Sequence, residues 1–168
     1  MSQEKVGVLV LCTGNSARSV IAEYLFRSMG NGIIDSYSAG SQPTGKPNPF
    51  AIEVLAKNGI DASDARSKSW DEFSGEGAPD IDIVITVCDS AASESCPIWP
   101  GAPIKAHWGV ADPAAVEGSD EDKRAAFAKT YEQMQARIAA LLKLDFAVRD
   151  ERFSAALREI GKMDDANV

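Results

Sequence analysis

The chain has a single histidine, only three cysteines and no long hydrophobic run. Each scarcity excludes something. One histidine, His107, cannot build a multi-histidine metal centre, and the cysteines do not compensate. Cys88 and Cys96 stand eight residues apart, whereas structural zinc pairs are usually about two to four apart; no metal is expected. No apolar stretch approaches the ~20 residues of a membrane span. The short run Val6–Leu11 ends on a cysteine, unlike a secretory signal. An odd number of cysteines with no leader reads as functional thiols in a reducing compartment, so a cytoplasmic protein is expected. Basic residues are outnumbered, 17 against 25 acidic, for a net charge of −8. That balance disfavours nucleic acid and anionic membranes as partners. No repeat, low-complexity tract or linker interrupts the 168 residues, a length that fits one domain with its own core. A monomer is expected.

What is present begins at Cys12-Thr13-Gly14-Asn15-Ser16-Ala17-Arg18-Ser19. A β-type run, Val6 to Leu11, leads into it, and a helical pattern with Ile21, Tyr24, Leu25 and Met29 follows. A loop of small residues between strand and helix forms an anion nest from its backbone N–H groups. The helix N-terminus adds positive potential, and Arg18 adds a guanidinium fork suited to a tetrahedral oxyanion. The same features favour the thiolate of Cys12 and lower its pKa below the free value of roughly 8.5. Ser19 is placed to hydrogen-bond that thiolate. A lone cysteine after an apolar strand is commonly a buried small hydrophobe; the Arg six positions on and the strand–loop–helix context argue against that here. With net negative charge opposing an anion at long range, its attraction must be local to the loop.

Farther along, Gly30-Asn31-Gly32 stops the helix, and Ile33 to Ala39 reads as a second strand. Asn48 and Pro49 start a helix with Phe50, Val54 and Leu55 on its apolar face. A short helix is expected at Ser69–Phe73. Ile81 to Val87 is a β-branched, buried-type strand running into Cys88. If it lies parallel beside the first strand, Cys12 and Cys88 share the carboxyl-end rim where open α/β sheets bind ligands. The polar segment Cys88 to Pro97 is a short helix or a mobile loop, and Ile98 to Pro103 a turn region. Ile104-Lys105-Ala106 is a short last strand, and His107 to Pro113 a loop on the same rim. Ser119 to Asp122 resembles a helix cap before a long helix to about Leu142. Phe153, Leu157 and Ile160 repeat at helical spacing in the tail, which packs as an extra helix or meets a partner. This alternation implies an α/β fold with a single four-stranded parallel sheet, helices on both faces and an extra C-terminal helix. The domain is expected over residues 1–144, with 145–168 a helical extension of it.

The Cys12–Ser19 string resembles the phosphate-binding loop of the low-molecular-weight protein tyrosine phosphatase superfamily, which includes phosphotyrosine phosphatases and arsenate reductases. Thr86-Val87-Cys88-Asp89, Cys96-Pro97 and His107-Trp108-Gly109 with Asp112-Pro113 are similar to the thioredoxin-coupled arsenate reductases, over residues 5 to about 142. The resemblance implies that Cys12 attacks arsenate, held by Arg18 and the backbone of Thr13, Gly14, Asn15, Ser16, Ala17 and Ser19. It implies that Asp112 is the general acid. Cys88 would then attack the Cys12–arsenic adduct and Cys96 would attack Cys88, in successive thiol–disulfide exchanges. Without the resemblance, Cys88 reads equally as a buried spacer, and Asp112 as a surface charge opening a turn.

No bound cofactor is implied, only an external thiol reductant. A Cys88–Cys96 spacing one residue longer than in the best-known members leaves that reductant as thioredoxin or glutaredoxin with glutathione. Asn15 and Glu23 match positions where some members hold an alkali cation, and an ammonium at Lys68 could replace it. His107 and Trp108 are expected to pack the loop. The alternatives are a phosphotyrosine phosphatase working through a Cys12 phosphocysteine, and an anion- or redox-responsive binding protein. Ala114 and Ala115 stand where family phosphatases carry an aromatic after the Asp-Pro pair, which counts against the first.

Overall fold

In the computed structural model, which describes residues 5–73, 77–87, 103–146 and 150–162, the run Val6–Leu11 is the central strand. All six of its residues are buried, as a strand covered on both faces demands. This strand, β1, pairs with β2 (Ile34–Ala39) on one side and β3 (Ile83–Thr86) on the other; β4 (Ile104–His107) completes the sheet. Every pairing is parallel and the order is β2-β1-β3-β4. β1 and β3 are therefore the parallel neighbours that the sequence reading required.

Strand alternation divides the core in two. Val6, Val8 and Val10 join Ile83 and Ile85 beneath four helices: α1 (Arg18–Met29), α2 (Pro49–Lys57), α3 (Asp120–Leu141) and α4 (Glu151–Ile160). Leu9, Leu11 and Val84 face the other way and meet Phe73 of the 3-10 helix Trp70–Phe73, with Tyr37 and Trp70 at the margin. Among the described residues the four α-helices therefore lie on one face of the sheet and the 3-10 helix lies against the other. α1 buries the whole run from Ser19 to Phe26, more than the one face its periodicity suggests, because it packs against the sheet, α2 and α3 together.

The helix starts follow local chemistry. The Asn48 side chain accepts from the Phe50 N–H and Pro49 occupies the first helical position. Ser119 and Asp122 form a reciprocal capping box at α3. Asp150 accepts from the N–H groups of Arg152 and Phe153 at α4. The tail does pack: Phe153, Leu157 and Ile160 are all buried in the main core, each such side chain contributing about 1.5–3 kcal/mol from area removed from water. The indole N–H of Trp108 donates to the Leu157 carbonyl at 2.9 Å. Gly161 then lies so close to the end of β4 that a β-carbon there would stand 2.3 Å from the His107 oxygen.

Boundaries shift slightly. β3 spans Ile83–Thr86 rather than 81–87, because the Asp82 carboxylate accepts from the Gly7 N–H at 2.9 Å. A side chain there supplies what a strand residue would. The segment containing Cys88 and Cys96 lies outside the described residues, as does most of the turn after it.

Candidate active site

The loop after β1 is built from the outside. Its carbonyls are taken by the chain that runs around it: Thr13 by the Gln42 N–H at 2.9 Å, Gly14 by Thr44 at 3.0 Å and Ser16 by Asn48 at 2.7 Å. The Ser67 hydroxyl also donates to the Gly14 oxygen, at 3.0 Å. In a planar trans peptide the N–H points opposite to its C=O. Turning these carbonyls outward therefore turns the N–H groups of Gly14, Asn15 and Ala17 toward the inside of the loop. Gly40 allows the close wrapping, since a β-carbon at that position would lie 2.4 Å from the Cys12 oxygen and 2.3 Å from that of Thr13. α1 begins at the end of this loop with no side-chain cap and no acidic residue in its first turn, so its positive end is not neutralised locally. Cys12 is buried at the start of the loop.

Asn15 holds the shape. Its φ is +46°, the left-handed region that Asn tolerates better than most residues. The side chain is fully buried. Its amide donates to Ser19 Oγ at 2.8 Å and Ser38 Oγ at 2.9 Å, while its oxygen accepts from the Lys68 N–H at 2.8 Å. Ser19 therefore receives a hydrogen bond on its oxygen and keeps its own proton to donate. The network continues inward. Ser38 donates to Glu23 Oε1 at 2.5 Å, and Lys68 Nζ lies 3.5 Å from the same oxygen. Arg27 pairs with the other Glu23 oxygen at 3.0 Å. Lys68 and Glu23 are both buried, and burial outweighs the attraction of Glu23 in holding the Lys68 pKa below its ordinary value.

Across the loop stands a carboxylate, that of Asp112. The Asp112 Oδ1 atom accepts from the Ala114 N–H at 2.9 Å, capping the 3-10 helix Pro113–Ala115. The capping bond orients the carboxylate so that Oδ2 lies 3.6 Å from Arg18 Nη2. Arg18 Nη1 donates to the Val110 carbonyl at 3.1 Å. A thiol-bearing loop, a guanidinium and a carboxylate thus converge at the carboxyl ends of β1 and β4, the rim where such sheets bind ligands. Ala114 and Ala115 are exposed and contribute no aromatic wall. The arrangement can hold a tetrahedral oxyanion, attack it with a thiol and protonate the group that leaves.

Cys12, Arg18, Asp112 and the loop Thr13–Ser19 therefore come together, whereas Cys88 and Cys96 lie outside the described residues. The last described residue before them, Val87, donates its N–H to the Leu11 carbonyl at 2.9 Å, immediately beside the start of the loop. Sequence reasoning missed Ser38, Ser67 and Thr44. For Ser38 a signal existed: Ile34, Ser36 and Ser38 share the inward parity of β2, and buried serines on that parity announce a polar network.

The chain belongs to the low-molecular-weight phosphotyrosine protein phosphatase family, whose model matches residues 7–152. Within that family its relatives divide by activity. It is 38% identical over 131 residues to an arsenate reductase of Halalkalibacterium halodurans, covering 78% of this chain and 91% of the other. It is 34% identical to an arsenate reductase of Bacillus subtilis, with the same coverage. Among solved structures, the thioredoxin-dependent arsenate reductase of Corynebacterium glutamicum superimposes with a TM-score of 0.61 at 26% identity, covering 85% of this chain and 63% of that one. A low-molecular-weight protein tyrosine phosphatase from T. tengcongensis gives 0.64 at 29%, covering 83% and 99%.

Proposed function

We propose that this protein is an arsenate reductase of the cytoplasm that works by a three-thiol relay. The observation that carries the reading is the outward-turned loop at Cys12 with Arg18 and Asp112 facing each other 3.6 Å apart beside it, in a chain that also supplies Cys88 and Cys96. The Cys12 thiolate attacks arsenic, and Asp112 gives its proton to the departing hydroxide, which leaves as water. Cys88 then attacks the Cys12 sulfur. A Cys12–Cys88 disulfide forms, the S–As electron pair stays on arsenic, and As(V) leaves as arsenite, As(III). Cys96 attacks Cys88, releases the Cys12 thiolate and leaves a Cys88–Cys96 disulfide for thioredoxin or glutaredoxin. Ser19 stabilises the Cys12 thiolate. No resident cofactor or metal takes part: with the Lys68 ammonium 3.5 Å from Glu23, the residues present do not fit an alkali cation there.

Phosphotyrosine hydrolysis is the second reading, favoured by the likeness to the T. tengcongensis phosphatase. The small residues after Asp112 argue against it, since they offer no side wall to an aryl ring. Arsenate-dependent NADPH oxidation, coupled in parallel to thioredoxin with its reductase and to glutathione with glutaredoxin, tests both. Turnover that is lost in Cys88→Ser, while aryl phosphate hydrolysis survives, supports the relay. Parallel loss of both activities, or brisk hydrolysis with no arsenate turnover, sinks it.

A further inference from the structure

We propose that Arg137 is a positioning residue for the acid, acting on Asp112 and Arg18 through the backbone that joins them. The inner stripe of α3 is apolar at Met134, Ile138 and Leu141 and carries one guanidinium among them, at Arg137. Burying that charge is costly unless it gains specific partners. Its Nη1 donates to the Trp108 carbonyl at 3.1 Å and to the Gly109 carbonyl at 3.2 Å. The next carbonyl, Val110, accepts from Arg18 Nη1. Two guanidiniums, one from α3 and one from α1, therefore grip three successive carbonyls of the loop that ends in Asp112.

The grip has a consequence for both groups that face the oxyanion. Trp108 is fixed by its indole bond to α4 and its stacking on Phe26 of α1, with ring centroids 6.0 Å apart. Beyond it the chain leaves β4, and the Val110 N–H donates to the Val87 carbonyl at 3.2 Å before the chain reaches the cap at Asp112. Arg137 holds the carbonyl end of the Gly109–Val110 peptide while Val87 holds its N–H end; together they set where the Val110 oxygen meets Arg18, and hence the separation of Arg18 from Asp112. Displacement by about 1 Å at a reacting group can cost about a hundredfold in rate.

The inference rests on Asp112 being the proton donor, and the test separates the two. The reduced full-length protein is assayed on phenyl phosphate, whose leaving group needs a proton, and on 2,4-dinitrophenyl phosphate, whose leaving group does not. For Arg137→Met, kcat/KM on the phenyl ester, which reports the step that expels the leaving group, should fall about tenfold to a hundredfold, with little change on the dinitrophenyl ester. Arg137→Lys, which keeps the charge but not the fork, should fall between, and it carries the comparison if the Met variant does not fold. Adding Arg137→Met to Asp112→Asn should cost nothing further. Equal losses on both esters, or losses that multiply with Asp112→Asn, overturn the proposal and leave Arg137 a purely structural residue. A leaving-group effect absent from Asp112→Asn itself overturns the assignment of the acid and the proposal with it.

Discussion

Replacing Asn15 by alanine removes three hydrogen bonds and places an ordinary residue where φ is +46°. Alanine in the left-handed region costs roughly 1–2 kcal/mol. The Lys68 N–H, buried and deprived of its acceptor, costs about 1–3 kcal/mol. Ser19 and Ser38 each lose a donor, worth ~0.5–1.5 kcal/mol apiece. These contributions share one network and do not add fully, so the expected loss is about 3–5 kcal/mol, a large part of the usual margin of ~5–15 kcal/mol. Asn15→Gly separates the causes: it loses the same side chain but not the backbone fit, and should unfold about 1 kcal/mol later than Asn15→Ala. The assay is the urea midpoint of reduced protein, with phosphate affinity measured alongside. Phosphate binding should weaken at least about tenfold, equivalent to ~1.4 kcal/mol. An Asn15→Ala variant that unfolds within ~0.5 kcal/mol of the parent and binds phosphate as tightly would refute the idea that this network shapes the loop.

Lys68→Met leaves Glu23 its contacts with Arg27 and Ser38, and should cost about 1–3 kcal/mol, less than a fully unpaired buried charge; potassium should raise its unfolding midpoint but not the parent's. Because burial lowers the Lys68 pKa from 10.5, the unfolded chain holds a proton that the native state has already released between the lowered value and 10.5. Stability from this group therefore rises with pH across that window, and the Met variant should lose that slope in urea titrations. Asp112→Asn should reduce arsenate turnover by about a hundredfold or more without weakening phosphate binding in calorimetry. Gly161→Ala sets a β-carbon 2.6 Å from the Trp108 ring and 2.3 Å from the His107 oxygen, so α4 must move; the thermal midpoint should report a loss of about 1–3 kcal/mol.

The sequence made the strand–loop–helix at Cys12 legible because its signals are local: an apolar run, then small residues, then a helical period. The same holds for the caps at Asn48 and Ser119, whose partners lie two or three residues away. Asn15, Glu23 and Lys68 were found through resemblance, but Ser38, which joins them, was not. Arg137 was invisible for a different reason. In a helix otherwise patterned for burial it reads as a tolerated surface charge, and its partners Trp108 and Gly109 are 28–29 residues away in sequence. The trimmed start of β3 also escaped, since nothing in the string Asp80–Ile81–Asp82 says that one carboxylate will stand in for a strand residue. The tail pattern of Phe153, Leu157 and Ile160 was plain; that it closes on Trp108 needed the fold.

The outward turn of the loop carbonyls makes the cradle sort by sign and shape and by little else. Peptide N–H groups and a guanidinium read a tetrahedral anion through its oxygens, and phosphate and arsenate present the same outline. Under the proposed relay, discrimination cannot sit in the first encounter, and abundant phosphate becomes a standing competitor. Choice moves downstream, to the fate of the atom bonded to sulfur. Arsenic can accept the electron pair when a second thiol arrives and depart reduced; phosphorus cannot, and its adduct can only await water. The protein would act as an unselective receptor joined to a selective reaction, its fidelity written in redox chemistry rather than in fit.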